Sequence, residues 1–246
     1  MNDTIGTILN RHSTRAFDDR AIAPEDKAEI FKAISESPSA GNMQTYSVIE
    51  VRDAGKIEKL SVLCDNQPFI RDGKMVLLFV TNPLRWYDVY NMSHEDKLYP
   101  SEADLYLNYN DTLIAAQTSV IAAESLGIGS CYIGDIIENY EEIKALFGLP
   151  KYVTPVCLLV FGYKKKPGLS PKRFAEEDLF CVDEFSNDSL EAMKRKLRAS
   201  GTEGTDKQAY EFVSRLFNRK MKSSFFAEMN RSFRLDLEEF RTGGEK

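Results

Sequence analysis

Histidine and tryptophan are scarce, with two and one respectively in 246 residues. His12 and His94 stand far apart, no HExxH occurs, and no Cys/His set has metal-ligand spacing, so no metal site is expected. The four cysteines, Cys64, Cys131, Cys157 and Cys181, form no CxxC pair. Cys131 and Cys157 sit in or beside apolar runs, as reduced buried thiols do. The first residues, MNDTIGTILNRH, lack the basic and apolar regions of an export signal, so a reducing cytoplasm is the expected location. Long hydrophobic runs are also missing. MVLLFV (75–80) and VCLLVFGY (156–163) are too short to span a membrane as helices, and no membrane partner is expected. A basic surplus is absent too: 32 Lys and Arg stand against 38 Asp and Glu, a net charge of −6, which argues against a nucleic-acid partner. No G-x-S-x-G elbow or phosphate-binding P-loop occurs. Gly127-Ile128-Gly129 follows a helical pattern and precedes a strand, the wrong order for a dinucleotide fingerprint.

What is present reads as interleaved helices and strands. The opening segment DTIGTILNRHS (3–13) patterns as a short helix that Asp3 or Thr4 would cap. Pro24-Glu25-Asp26 opens a second helix, which stops before Pro38. SVIEVR (47–52), MVLLFVT (75–81), CYIG (131–134) and VCLLVFGY (156–163) read as strands, the second as one covered on both faces. Asp53 caps one further helix and Asn139 another, which ends near Gly148. From Glu102 to Leu126 runs a long helical pattern with Ala115, Ala116, Ala122 and Ala123, stopped by Gly127. Its small residues make it a candidate central or dimer-interface helix. Helical stretches at about 187–199 and 206–240 close the chain. The class is α/β or α+β.

Three segments carry candidate chemistry. In an extended Arg11-His12-Ser13-Thr14-Arg15, alternate residues share a side, so Arg11, Ser13 and Arg15 would converge on one anion. By spacing alone the run reads first as a solvated basic turn. Lys164 to Arg173 is a second basic element, stiffened by Pro167 and Pro171; alone it too reads first as surface. Ser37 to Gln44 is polar, small and turn-forming between a helix and a strand. It offers amides to a heterocycle edge, or is a plain connecting loop.

Together these segments resemble the nitroreductase family of FMN-dependent oxidoreductases. The matching stretches are RHSTRAF (11–17), ESPSAGNMQTYSVIEV (36–51), AAQTSVIAAESLGIGSCYIGDI (115–136), GLPKYVTPVCLLVFGY (148–163) and Pro171-Lys172-Arg173, in the family's order. The resemblance covers roughly residues 4–180. The rest looks like the extension of the longer branch, which includes the major oxygen-insensitive nitroreductase and NADPH–flavin oxidoreductase.

The resemblance implies an α+β fold: a central, mostly antiparallel sheet surrounded by helices, in a domain-entwined homodimer with a helical C-terminal extension. Residues 1–180 would be the FMN-binding domain and 181–246 the extension, packed on the same domain or on the partner. Tightly bound, non-covalent FMN is implied. Arg11, His12, Ser13 and Arg15 would hold its phosphate and ribityl chain, and Lys172 or Arg173 would add a phosphate contact. Pro38, Ser39 and Asn42 would approach the ring from the partner subunit. Gln67 would reach the ring or ribityl chain, and Tyr132, Ile133 and Gly134 would line the ring's other side.

The implied reaction passes a hydride from NADH or NADPH through the flavin N5 to nitroaromatics, quinones or similar small oxidants, by a ping-pong scheme. The flavin carries the chemistry, so no catalytic side chain is expected. An NAD(P)H–flavin reductase, or a flavin-binding regulatory protein without turnover, are the alternatives. Two departures stand out. Asp135 follows Tyr-Ile-Gly where a small residue is common. The longer branch carries a basic loop after residue 200 for the NADPH 2′-phosphate. Here Glu203 and Asp206 would repel a phosphate, and only Arg198 and Lys207 are nearby cations.

Overall fold

MVLLFVT and PVCLLVFGY are the two most apolar runs in the chain, and in the computed structural model they lie side by side at the centre. The structure describes residues 2–166, 168 and 170–241. Strands β1 (Tyr46–Glu50), β2 (Met75–Thr81), β3 (Ile128–Ile133) and β4 (Pro155–Tyr163) form one antiparallel sheet in the order β1-β2-β4-β3. Every residue of β2 and β4 is buried, which is why both strands read as unbroken apolar runs rather than alternating ones.

Alternate residues of the inner strands feed two cores. Met75, Leu77, Phe79, Leu159 and Phe161 face one side. There they meet α2 (Pro24–Ser35) and the 24-residue α6 (Glu102–Ser125). Val76, Leu78, Val80, Leu158 and Val160 face the other. That side is covered by α3 (Ala54–Leu63), α4 (Phe69–Asp72) and α7 (Tyr140–Phe147). Helices α1 (Asp3–Asn10) and α5 (Leu84–Ser93) complete the set before β3. After β4 come α8 (Ser189–Ala199), α9 (Asp206–Lys220) and α10 (Ser224–Arg241).

The chain forms two compact units. One is drawn from the chain up to Gly168 and from Glu228 onward, and the other from the residues between. In the first unit α10 is held by its buried carboxylate. Asp236 is 1% exposed and accepts from Tyr109 Oη and Tyr140 Oη, both at 3.2 Å, and from Thr154 Oγ1. In the second unit α8 and α9 pack on each other. At the turn between them Gly204 has φ 66°, and a Cβ there would lie 2.5 Å from the Lys194 carbonyl.

Several sequence expectations are adjusted by the structure. The α1 cap is Asn2, whose Oδ1 accepts from Thr4 N at 2.9 Å and Ile5 N at 3.4 Å. Strand β3 begins at Ile128, three residues early, because Gly129 and Ser130 pair with Gly162 and Phe161. The expected helix at 206–240 is two helices. α9 ends at Lys220, and Ser223 Oγ accepts from Phe226 N at 3.2 Å at the start of the next. Ala115, Ala116 and Ala123 of α6 are fully buried in the core against the sheet, as the central-helix alternative expects. The exposed apolar residues of α6 are Tyr106, Leu107, Leu113 and Ile114. Among the described residues no helix is long and apolar enough to cross a membrane.

Candidate flavin site

The segment after α1 is extended because it is sewn to the sheet. Ser13 bridges Ser130 in parallel, Thr14 N donates to Ser130 O at 2.8 Å, and Phe17 bridges Lys164. Asp18 N donates to Tyr163 O at 2.9 Å, and Lys165 N to Ala16 O at 3.1 Å. Two glycines permit this approach. A Cβ on Gly129 would sit 2.4 Å from Thr14 Oγ1, and one on Gly162 would sit 2.8 Å from the Phe17 ring. The alternation expected of an extended segment follows: Thr14 is buried, while Ser13 and Arg15 are exposed.

A cavity of about 230 Å³ lies along this segment, lined by His12, Ser13, Thr14, Arg15, Ala16, Lys166 and Gly168. None of these residues is acidic. Among the described residues no carboxylate pairs with Arg11 or Arg15, whereas Arg20, Arg52, Arg71, Arg231 and Arg241 in the same unit each have one. Guanidinium groups without a carboxylate partner, at a cavity that Ser13 also lines, make a donor set with no anion of its own. That set fits a phosphate monoester. Both guanidiniums also act on β3. Burial pushes the Cys131 thiol up, while the charges of Arg15 and Arg11 pull it down. Lys166 is the residue that sequence reading missed here. It was visible only as part of a basic run until the Phe17–Lys164 bridge fixed that run beside Ser13.

At the other end of β3 the chain turns through the 3₁₀ segment Gly134–Ile137. Tyr132 is half-buried and Ile133 buried, and burial pushes the Tyr132 phenol well above its usual range. Gly134 is exposed, and a Cβ there would meet open space, so its backbone is accessible. Gln67 arrives from the far side of the sheet, after two left-handed residues, Asp65 (φ 60°) and Asn66 (φ 51°). Its Nε2 donates to Cys64 O at 2.9 Å and to Asp135 Oδ2 at 2.5 Å. Asn139 Nδ2 spends itself on Leu63 O at 2.8 Å rather than capping α7, and so ties the same turn to the end of α3.

The loop with Pro38, Ser39 and Asn42 is a separate construction. Gly41, Asn42 and Gln44 have φ of 57°, 55° and 49°. The fold is held by Ala40 N and Thr45 Oγ1 on Asp111, at 2.9 and 3.1 Å, and by Trp86 Nε1 on Met43 O at 2.7 Å. Pro38 and Asn42 are exposed and Ser39 half-buried. Within one chain the hydrogen bonds of this loop run to α2, α5 and α6, and among the described residues none joins it to Arg11–Arg15. Lys172 and Arg173 are exposed residues of the second unit.

A four-stranded antiparallel sheet between helical layers, with an anion cradle and a bare backbone turn at opposite ends of β3, defines an α+β protein with a cofactor-type site. Residues 8–163 match the model of the nitroreductase family. Over 190 residues the chain is 31% identical to "FMN reductase (NADPH)" of Bacillus subtilis, covering 74% of this chain and 76% of that protein. It is 30% identical over 223 residues to the same organism's "FMN reductase [NAD(P)H]", covering 89% and 86%. Its fold superposes on the NADPH:FMN oxidoreductase from Vibrio harveyi complexed with NAD+ with a TM-score of 0.82 at 20% identity, covering 96% of this chain and 98% of that one. The chain belongs to the nitroreductase family of FMN-dependent oxidoreductases.

Proposed function

We propose that this chain binds FMN and passes reducing equivalents from NADH or NADPH to small oxidants such as nitroaromatics, quinones or free flavin. The observation that carries the reading is the acid-free cavity along residues 12–16, with Arg11 and Arg15 left without ion-pair partners among the described residues. A phosphate dianion placed there gains charge-assisted hydrogen bonds that no protein carboxylate already takes. Bound FMN supplies two-electron redox chemistry between a nicotinamide and a second substrate.

The chain's own residues do the rest. Arg11, Ser13, Arg15 and Lys166 bind the phosphate end. His12 walls the same cavity. Tyr132, Ile133 and the open backbone of Gly134 line the ring, and Gln67 meets its edge. Residues 1–180 are proposed to carry the flavin site. A homodimer completes it, with Pro38, Ser39 and Asn42 offered to the partner's ring. The exposed apolar residues Ile5, Ile8 and Leu9 of α1, with Leu113 and Ile114 of α6, are a surface suited to that assembly. A cytoplasmic location goes with this reading.

The test is spectroscopic. The purified protein should show a flavin spectrum that NADH or NADPH bleaches without oxygen, and that nitrofurazone, menadione or free FMN restores. A colourless protein that takes up no FMN on titration overturns the proposal.

A further inference from the structure

The amide of Gln67 has a fixed polarity. Its Nε2 lies within hydrogen-bond distance of two groups, the Cys64 carbonyl at 2.9 Å and the Asp135 carboxylate at 2.5 Å. A peptide carbonyl only accepts, so the shared atom must be the nitrogen. A primary amide has two N–H bonds, and both are used. Among the described residues its carbonyl oxygen has no protein partner, and it is not among the buried unsatisfied atoms. What Gln67 can present to a ligand is therefore an acceptor. The stronger of the two holds is the charge-assisted one to Asp135.

We propose that Asp135 is a positioning residue. It holds the Gln67 amide nitrogen inward, so that the outward oxygen selects the imide N3–H edge of an isoalloxazine. This rests on the FMN reading above. The chemistry narrows the edge because the oxidised isoalloxazine carries a single ring N–H, at N3. Its other edge atoms, O2, O4, N1 and N5, accept. An outward amide nitrogen would suit any of those four, whereas on the ring edge an outward oxygen suits N3–H alone. The backbone is built for this hold. Asp65 and Asn66, both left-handed, turn the chain out of α3, and Gln67 N donates to Ser61 O at 2.8 Å. Asp135 stands in the 3₁₀ turn directly after the ring-lining Gly134. The pair joins residues 68 positions apart across the end of the sheet.

The experiment compares FMN with N3-methyl-FMN, in which a methyl group replaces that hydrogen, by titrating the full-length chain freed of flavin. The wild type should prefer FMN by about tenfold, the value of one hydrogen bond lost on one side. In Asp135→Ala, and independently in Asp135→Gly, the amide is free to turn, and the preference should fall below about threefold. FMN itself still binds these variants, because the phosphate end is untouched; a merely structural role for Asp135 would weaken both flavins equally and leave the ratio unchanged. An unchanged ratio in the variants, or equal affinity for the two flavins in the wild type, overturns the assignment. A wild-type chain that takes up neither flavin overturns the FMN reading itself, and this one with it.

Discussion

Asp111, on the inner face of α6 and 3% exposed, accepts the Thr45 hydroxyl on one oxygen and the Ala40 amide on the other, at 3.1 and 2.9 Å. A buried carboxylate thus holds both ends of a loop whose own backbone is costly, since Asn42 and Gln44 are non-glycine residues at positive φ. Asp111→Ala should leave two donors unmet and cost roughly 2–4 kcal/mol of stability. Urea unfolding would measure it. If the loop completes a partner's flavin site, the same variant should also weaken FMN binding per dimer. A variant as stable as wild type would show that the anchor is dispensable.

Arg15 poses the opposite case, a charge that no carboxylate pairs among the described residues. Arg15→Ala should therefore cost the flavin-free chain less than about 0.5 kcal/mol, as a surface change does. It should nevertheless lower FMN affinity by roughly 1–3 kcal/mol through the lost charge-assisted contact. Fluorescence titration and a thermal melt of the same sample separate the two effects. An FMN affinity that does not move would remove Arg15 from the site.

How much of this was legible in the sequence depends on how far apart the interacting residues lie. β2 and β4 could be read from composition because a strand buried on both faces has no polar alternation to hide it. α2 was announced by Pro24 and two acids. The start of β3 could not be read, since Gly129 and Ser130 have little strand propensity and owe their pairing to β4. The break after Lys220 is a tertiary and capping choice inside a stretch with continuous helical pattern. At the site, Arg11–Arg15 was visible as a charged run, but nothing local said that it lacked acids around it. Lys166 and the Gln67–Asp135 pair depend on bridges between distant segments, which spacing does not encode.

Gly129 offers a structural test of the cradle. Gly129→Ala would put a methyl group 2.4 Å from Thr14 Oγ1 and 2.9 Å from Lys164 methylenes. Overpacking of this kind costs about 1–3 kcal/mol, and here it should also displace residues 13–15 and weaken FMN binding. Thr14 Oγ1 is buried without a partner, so Thr14→Ala alone should cost little. In the double variant it should return part of the loss. A double-mutant cycle in urea reads the coupling, and strict additivity would refute the predicted clash.

Asp236 gives a pH dependence with a definite sign. Burial raises its pKa from 3.8 to about 6, against the pull of Thr154, Tyr109 and Tyr140. The folded chain therefore holds this proton more tightly than the unfolded chain. Its contribution is most favourable below pH 3.8 and declines as the pH rises towards about 6. The full difference is of order 3 kcal/mol. Asp236→Asn should remove that slope. Wild type minus variant, measured by urea unfolding near pH 4 and near pH 7, should change in the direction that penalises wild type at the higher pH. A difference that is flat with pH would mean the carboxylate is not buried as described.

On the proposed function, the choice between NADH and NADPH is expected to turn on whether α8 and the loop after it have cations to spare for a 2′-phosphate. Helix α8 carries four basic residues, but most are engaged. Lys194 pairs with Glu191 and with Asp206, the latter at 2.8 Å. Arg195 pairs with Glu177 and Asp178, and Lys196 lies over the Phe174 ring, 4.1 Å from its centroid. Arg198 is exposed and, among the described residues, without such a partner, with Glu203 nearby in sequence. A phosphate would have to compete with carboxylates already in place. The expected preference for NADPH over NADH in kcat/KM is therefore below about tenfold, or 1.4 kcal/mol. Asp206→Asn frees part of the Lys194 charge and should shift the ratio towards NADPH. Steady-state rates with both nucleotides at low ionic strength decide it, where surface charges act most strongly. A wild-type preference for NADPH of a hundredfold or more would show that cations outside α8 grip the phosphate.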